Sequence, residues 1–179
     1  IHRRRLDYNM ATGLKSTSES IAVSFSLSES APNTFTQGRV DLQLNPLDQE
    51  VFVVTAINLD PAVPDGTAGT NTQVHASLST TSATGVLNLA TSSCLATTVI
   101  NVRAQGFVDA GVGFTRTSND TPDTNLDYVG IIATNDFFIQ IEGTNNAGAK
   151  FLSGRMYGYR AKATSAIYAA LVQSEVLSS

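Results

Sequence analysis

The sequence predicts an all-β fold: an antiparallel β-sandwich, with an eight-stranded jelly roll as the leading arrangement and an immunoglobulin-like sandwich as the competitor. Three observations predict it. Runs of alternating apolar and small polar residues recur along the chain, Ile21-Ala22-Val23-Ser24-Phe25-Ser26-Leu27-Ser28 being the clearest. Turn-forming clusters interrupt these runs every 8–12 residues or so, the spacing of sandwich strands. Helical crossovers between the runs are missing, so neighbouring strands are expected to pair antiparallel. The competitor lacks the Cys…Trp…Cys core signature, because the chain has one Cys and no Trp.

Residues 1–20 read as an extended N-terminal arm and residues 21–179 as a single β-sandwich domain. The arm opens with the basic cluster Arg3, Arg4 and Arg5, then runs through a polar Ser/Thr stretch to Ser20 with no apolar period. Ile21, Val23, Phe25 and Leu27 then face one way, and Ala22, Ser24, Ser26 and Ser28 the other, as in a half-buried strand. Val40, Leu42 and Leu44 alternate in a second strand that stops at Asn45-Pro46. Residues 50–59 form a dense β-branched run expected to be buried on both faces.

Residues 60–72 form a loop rich in Pro and Gly. Val74, Ala76 and Leu78 alternate with His75, Ser77 and Ser79, and Val86 to Leu89 offers a short further strand. Strands are predicted over 97–103 and 106–116, with a polar loop from Ser118 to Asp123 behind them. Tyr128 to Ala133, the Phe137/Ile139/Ile141 row and residues 154–163 complete the set. Residues 165–177 place Tyr168, Val172 and Val176 at helical spacing beside Leu171, predicting a short C-terminal helix capped near Thr164 or Ser165, with a strand as the competitor.

The chain of 179 residues is 42% hydrophobic but only 15% charged, with a formal net charge of −4. A surface built from Ser, Thr, Asn, Gln and Gly loses little when buried against another protein, since few full charges need desolvation. The negative balance argues against a generally nucleic-acid-coating surface. No apolar run approaches the roughly 18 residues of a membrane span.

No catalytic, metal or cofactor site is predicted. Of the two histidines, His2 lies in the arm and His75 on the polar side of its strand. Cys94 sits in Thr91-Ser92-Ser93-Cys94-Leu95, with no basic neighbour to lower its pKa. One Cys and two separated His do not make a zinc site. Asn119, Asp120, Asp123 and Asp127, and separately Asp60 and Asp65, are read as turn formers rather than calcium ligands.

Charge is unevenly distributed. Residues 29–65 hold Glu29, Asp41, Asp48, Glu50, Asp60 and Asp65 against Arg39 alone, whereas residues 143–174 carry Lys150, Arg155, Arg160 and Lys162 and no acid. This asymmetry either orients subunits head to tail or is spent in pairing between neighbouring strands; both readings stand at this point. Lys150, Arg155, Arg160 and Lys162, with Arg3, Arg4 and Arg5, are therefore the candidate interaction residues.

A basic polar arm followed by a Ser/Thr/Asn/Gly-rich β domain with turn-rich loops resembles viral coat-type proteins. Both single jelly-roll capsid proteins and the β-sandwich decoration proteins of tailed viruses have this style. The resemblance rests on no specific motif, so it carries over no site residue. It implies a structural virion protein that self-associates as a homo-oligomer and contacts neighbouring capsid subunits. Three arginines are few for a genome-packaging arm, which favours an acidic protein neighbour over nucleic acid as the arm's partner. The second reading is a receptor- or glycan-binding module, such as an adhesin or a virion spike tip, using the loops at 60–72 and 117–125. Neither reading needs an enzyme, a cofactor or a membrane.

Overall fold

The computed structural model describes residues 13–106, 108, 111–118 and 128–178. They form β1 (Leu14–Ser16), β2 (Ile21–Ser28), β3 (Thr36–Asp41), a 3-10 turn (Pro46–Asp48), β4 (Glu50–Pro61), β5 (Thr72–Ser79), β6 (Cys94–Arg103), β7 (Val112–Ser118), β8 (Gly130–Ile132), β9 (Asp136–Thr144), β10 (Phe151–Ala163) and the helix α1 (Ser165–Ser178).

The strands make two antiparallel sheets. In the first, β10 lies between β4 and a split edge formed by β2 and β1, and β8 closes the far side of β4. The second runs β3-β9-β5-β6-β7. The pairing is nested: β2 with β10, β3 with β9, β4 with β8, β5 with β6. The first half of the chain thus pairs with the second half in reverse order.

Alternation along the strands builds the core between the sheets. Phe25, Phe52, Val54, Ile57, Leu152 and Met156 face Val74, Ala76, Leu78, Phe137, Ile139 and Ile141. Phe25 and Phe137 meet edge to face, with ring centroids 5.8 Å apart and planes at 75°. The inward positions of β4 shift at a bulge between Val54 and Ala56, where the register against β10 slips and Thr55 Oγ1 donates to the Tyr157 carbonyl at 3.2 Å.

Of the run 50–59 expected to be buried on both faces, only Val51–Val54 is; beyond the bulge the strand alternates, with Ile57 buried and Asn58 exposed. Val51 and Val53 point away from the main core into a second cluster with Ala133, Ala161 and Ala163. Ile167, Tyr168, Leu171 and Val172 of α1 cover that cluster, so the first sheet is sandwiched between the second sheet and the helix. The helix begins behind Thr164, whose Oγ1 accepts from the Ile167 N–H at 3.4 Å.

Four further expectations need correction. Val86 to Leu89 is not a strand. That segment belongs to a loop over the outer face of the second sheet, and its backbone bonds to side chains there: the Leu87 N–H donates to Ser77 Oγ, and Thr97 Oγ1 donates to the Leu87 carbonyl. The strand predicted from residue 106 begins at Val112. The second strand ends at Asp41, because Gln43 takes a left-handed backbone (φ 55°), although Leu42 and Leu44 still reach the core. Within the stretch read as an arm, Leu14–Ser16 pairs with the end of β10. Arg3, Arg4 and Arg5 lie outside the described residues.

Candidate functional site

The late basic residues divide into two kinds. Lys150 and Arg160 are used inside the fold. Lys150 Nζ stands 2.7 Å from Asp65 Oδ1. Arg160 Nη1 stands 2.8 Å from Glu50 Oε1 and also donates to the Gln43 carbonyl, while Nη2 donates to the Leu42 carbonyl at 2.7 Å. At these two positions the asymmetry of acidic early and basic late residues resolves into pairing within one chain. Arg155 and Lys162 remain exposed. Arg155 borders a shallow groove of about 470 Å³ on the outer face of the first sheet, with Ser24, Asn58, Asp60, Ser153 and Tyr157. Lys162 lines a separate cleft with Lys15, Gln49 and Ser165.

One end of the sandwich is a cluster of tied loops. The buried Glu29 carboxylate accepts from the backbone N–H groups of Thr34, Gly143 and Lys150 at 2.8–3.0 Å. Asn33 and Asn146 exchange side-chain and backbone bonds, and Asn146 also accepts from the Asp65 N–H. Asn33 and Asn145 hold left-handed backbones (φ 58° each), which Asn tolerates. The Lys150 ammonium and the Ala147 N–H hold the Asp65 carboxyl below the usual carboxylate range. The Asp65 carboxylate is therefore committed to a tie between loops distant in sequence rather than to a turn of its own, and Asp60, also read as a turn former, lies in β4. Asn119, Asp120, Asp123 and Asp127 lie outside the described residues.

The outer face of the second sheet is half covered. Residues 80–93 lie over a buried polar network in which Gln140 bonds Ser77, Ser79 and Gln37. Ser77 and Ser79, read from the alternation as a polar face, are fully buried there. His75 is half-buried beside them, with Nε2 3.0 Å from Thr97 Oγ1. Burial, then the Arg116 charge, push its pKa below the ordinary value. Cys94 is buried and its thiol is pushed up to about 11 by desolvation, so it stays protonated and unreactive at neutral pH.

Beyond the loop the face is less covered, and exposure rises towards β7. Directly paired residues share a face, so the register places Glu142, His75, Val99 and Arg116 in one row, and Thr144, Gln73, Asn101 and Phe114 in the next. Val112 pairs with Arg103 beyond them. Val112 and Phe114 are about half exposed, 48% and 55%, on the strand that ends the sheet. Beside them a cleft of about 360 Å³ is lined by Asn88, Leu89, Ala90, Thr97 and Arg116.

The opposite edge of the sheet carries a different corner. Arg39 bridges Asp41 and Asp136, at 3.0 and 2.6 Å. The next turn presents Leu47, 91% exposed, with Asp48 beside it. That turn is well fixed: Asn45 Oδ1 accepts from the Leu47 N–H, Asn45 Nδ2 donates to Asp48, and the Gln49 and Glu50 N–H groups donate back to the Pro46 and Asn45 carbonyls.

Sequence reasoning missed Leu47, Leu89, Phe114, Arg103 and Arg116. The available signals were a leucine inside the Asn45-Pro46-Leu47-Asp48 turn and the Val112/Phe114/Arg116 alternation. No protein-family model and no curated protein sequence matches the chain.

Proposed function

We propose that this chain is a structural virion protein, a jelly-roll capsid or capsid-decorating subunit that self-associates and contacts neighbouring coat subunits. The observation that carries the reading is the nested pairing of β2 with β10, β3 with β9, β4 with β8 and β5 with β6, the pairing of a rolled hairpin ribbon. β7 is then an addition at the edge of one sheet and α1 a cover on the other.

Surface character supports assembly. The surface is poor in charge, and two of the late basic residues are neutralised within the chain. The loops at one end are held by satisfied hydrogen bonds, so a partner docking there meets a preformed surface. Large apolar side chains stand exposed at Leu47, Val63, Phe114 and Phe151. In this reading the chain works as a homo-oligomer in the virion, performs no catalysis, and uses its arm against a neighbouring protein surface rather than the genome.

Receptor or glycan binding is the second reading. The groove with Ser24, Asn58, Asp60, Arg155 and Tyr157 favours it, since it offers hydrogen-bonding groups beside an aromatic ring. Glycan-array binding by wild type and an Arg155→Ala, Tyr157→Ala double variant separates the two. Saturable binding lost in the double variant, by a protein that stays monomeric, supports the second reading. Assembly without glycan binding supports the first.

A further inference from the structure

Resting on the coat-subunit reading, β7 points to how two copies meet. We propose that β7 of one copy pairs antiparallel with β7 of a second copy about a two-fold axis at Phe114, joining their second sheets into one continuous sheet.

The backbone is the first argument. β7 ends its sheet and pairs on one side only, with β6. Among the described residues no backbone hydrogen bond reaches its other side. The N–H and C=O groups on that side are those a further strand would take up. The usual protections of such an edge are missing: Val112–Ser118 holds no Pro and no Lys, and its register against β6 runs without a bulge.

Exposure is the second argument. Every residue from Val112 to Thr117 is exposed, on both faces of the sheet. Val112, Phe114 and Arg116 lie on the outer face, and Gly113, Thr115 and Thr117 on the other. Within one copy, pairing with β6 holds β7 with little packing, although Val112 and Phe114 carry apolar area at 48% and 55% exposure. The other edges differ. Val23, Phe25 and Leu27 of β2 pack on the core, and Leu27 reaches Gly38 of β3 in the facing sheet. β3 carries the charged Arg39 and Asp41, and β8 has only three residues.

Self-complementarity is the third argument, and it selects a second copy as the occupant. With the axis at Phe114, the two Phe114 rings stand directly opposite each other, and Val112 stands opposite Arg116 of the other copy. Aromatic pairs in that position stabilise a sheet. The Arg116 stem can lie over Val112 while its charge stays in water. The two Arg116 groups then lie four residues apart along the ribbon, roughly 13 Å by the rise of a strand. An axis at Thr115 would bring them to two residues apart, where like charges oppose pairing. On the other face Gly113 stands opposite Thr115, so no two bulky side chains crowd there. A two-fold contact closes on itself, so it supplies a dimer, and a shell is completed by a further contact elsewhere on the chain.

The test uses the 179-residue chain and sedimentation velocity across a concentration series. Wild type is expected to form dimers or larger species. Phe114→Lys and Phe114→Glu, each alone, set like charges directly opposite and are expected to lower the apparent association constant about 10-fold or more. Mixing the two variants is expected to restore dimers, because Lys then meets Glu across the axis. Melting temperatures at concentrations where the chain is monomeric should match wild type, since Phe114 is exposed. Oxidation of Phe114→Cys is expected to give a covalent dimer faster than oxidation of Arg116→Cys, because only position 114 meets itself within disulfide reach. The buried Cys94 does not compete. If wild type assembles while Phe114→Lys assembles equally well, or mixing restores nothing, or Phe114→Cys cross-links no faster than Arg116→Cys, the β7 pairing is wrong and the coat reading stands. If wild type is monomeric throughout, the coat reading itself fails and the pairing with it.

Discussion

Arg160 and Glu50 form a bracket at one end of the sandwich: the guanidinium stands 2.8 Å from the carboxylate while bonding to the carbonyls of Leu42 and Gln43. Those carbonyls belong to a segment where the strand pattern has ended but Leu42 and Leu44 still fill the core. The bracket therefore holds an irregular stretch of backbone against β10. Arg160→Met keeps the length of the side chain and removes its charge and donors. It should cost about 2 kcal/mol in urea unfolding, because hydrogen bonds to a charged group are lost together. A cost equal to that of Arg155→Met, at an exposed position, would show that the bracket contributes nothing.

Gly158 lies where the Phe52 ring and the Val53 carbonyl leave no room for a Cβ. The bulge opposite it sets this close approach. Gly158→Ala should destabilise by about 1–3 kcal/mol through overpacking. Adding Phe52→Leu should recover part of that loss, so that the two changes are not additive. Strict additivity would mean that the ring is not what fills the space.

Phe25→Ala should cost about 3–5 kcal/mol, since the ring is buried and meets Phe137 edge to face. Ser24→Ala, exposed on the other face of the same strand, should cost little. Similar losses at both positions would place the register off by one residue.

His75 sets a pH dependence. Its pKa is below the ordinary 6.5 in the folded chain, because burial and Arg116 disfavour the imidazolium. As pH falls the unfolded chain therefore takes up the proton first. The stability due to neutral His75 is fully present above pH 6.5 and is lost as pH drops through that value towards the folded pKa. His75→Gln should flatten unfolding free energy between pH 7.5 and 5.5 relative to wild type. An identical slope in the two proteins would remove His75 as its cause.

Most of the fold was legible because apolar alternation and burial coincide along β2, β5 and β9. The failures have physical reasons. Ser77 and Ser79 read as solvent-facing because small hydroxyls suit either water or a buried polar network, and here Gln140 and residues 80–93 cover them. Val86 to Leu89 has the apolar content of a strand, but its backbone is satisfied by Ser77 and Thr97 instead of a neighbouring strand. β1 has too few residues to show a period and is held by pairing with β10. The uneven charge was visible, yet which residues pair depends on long-range register, so Lys150 and Arg160 read like Arg155 and Lys162 until the strands are laid side by side. Leu47 gave no periodic signal, because a lone leucine in a turn belongs to no row.

Self-association is the central claim, and the mass of the concentrated 179-residue chain tests it most directly. Sedimentation velocity at rising concentration, with electron microscopy of the fastest fraction, should show a shift from monomer to rings or shells of uniform size. A single species at the monomer mass of 18.9 kDa over the whole range would contradict it.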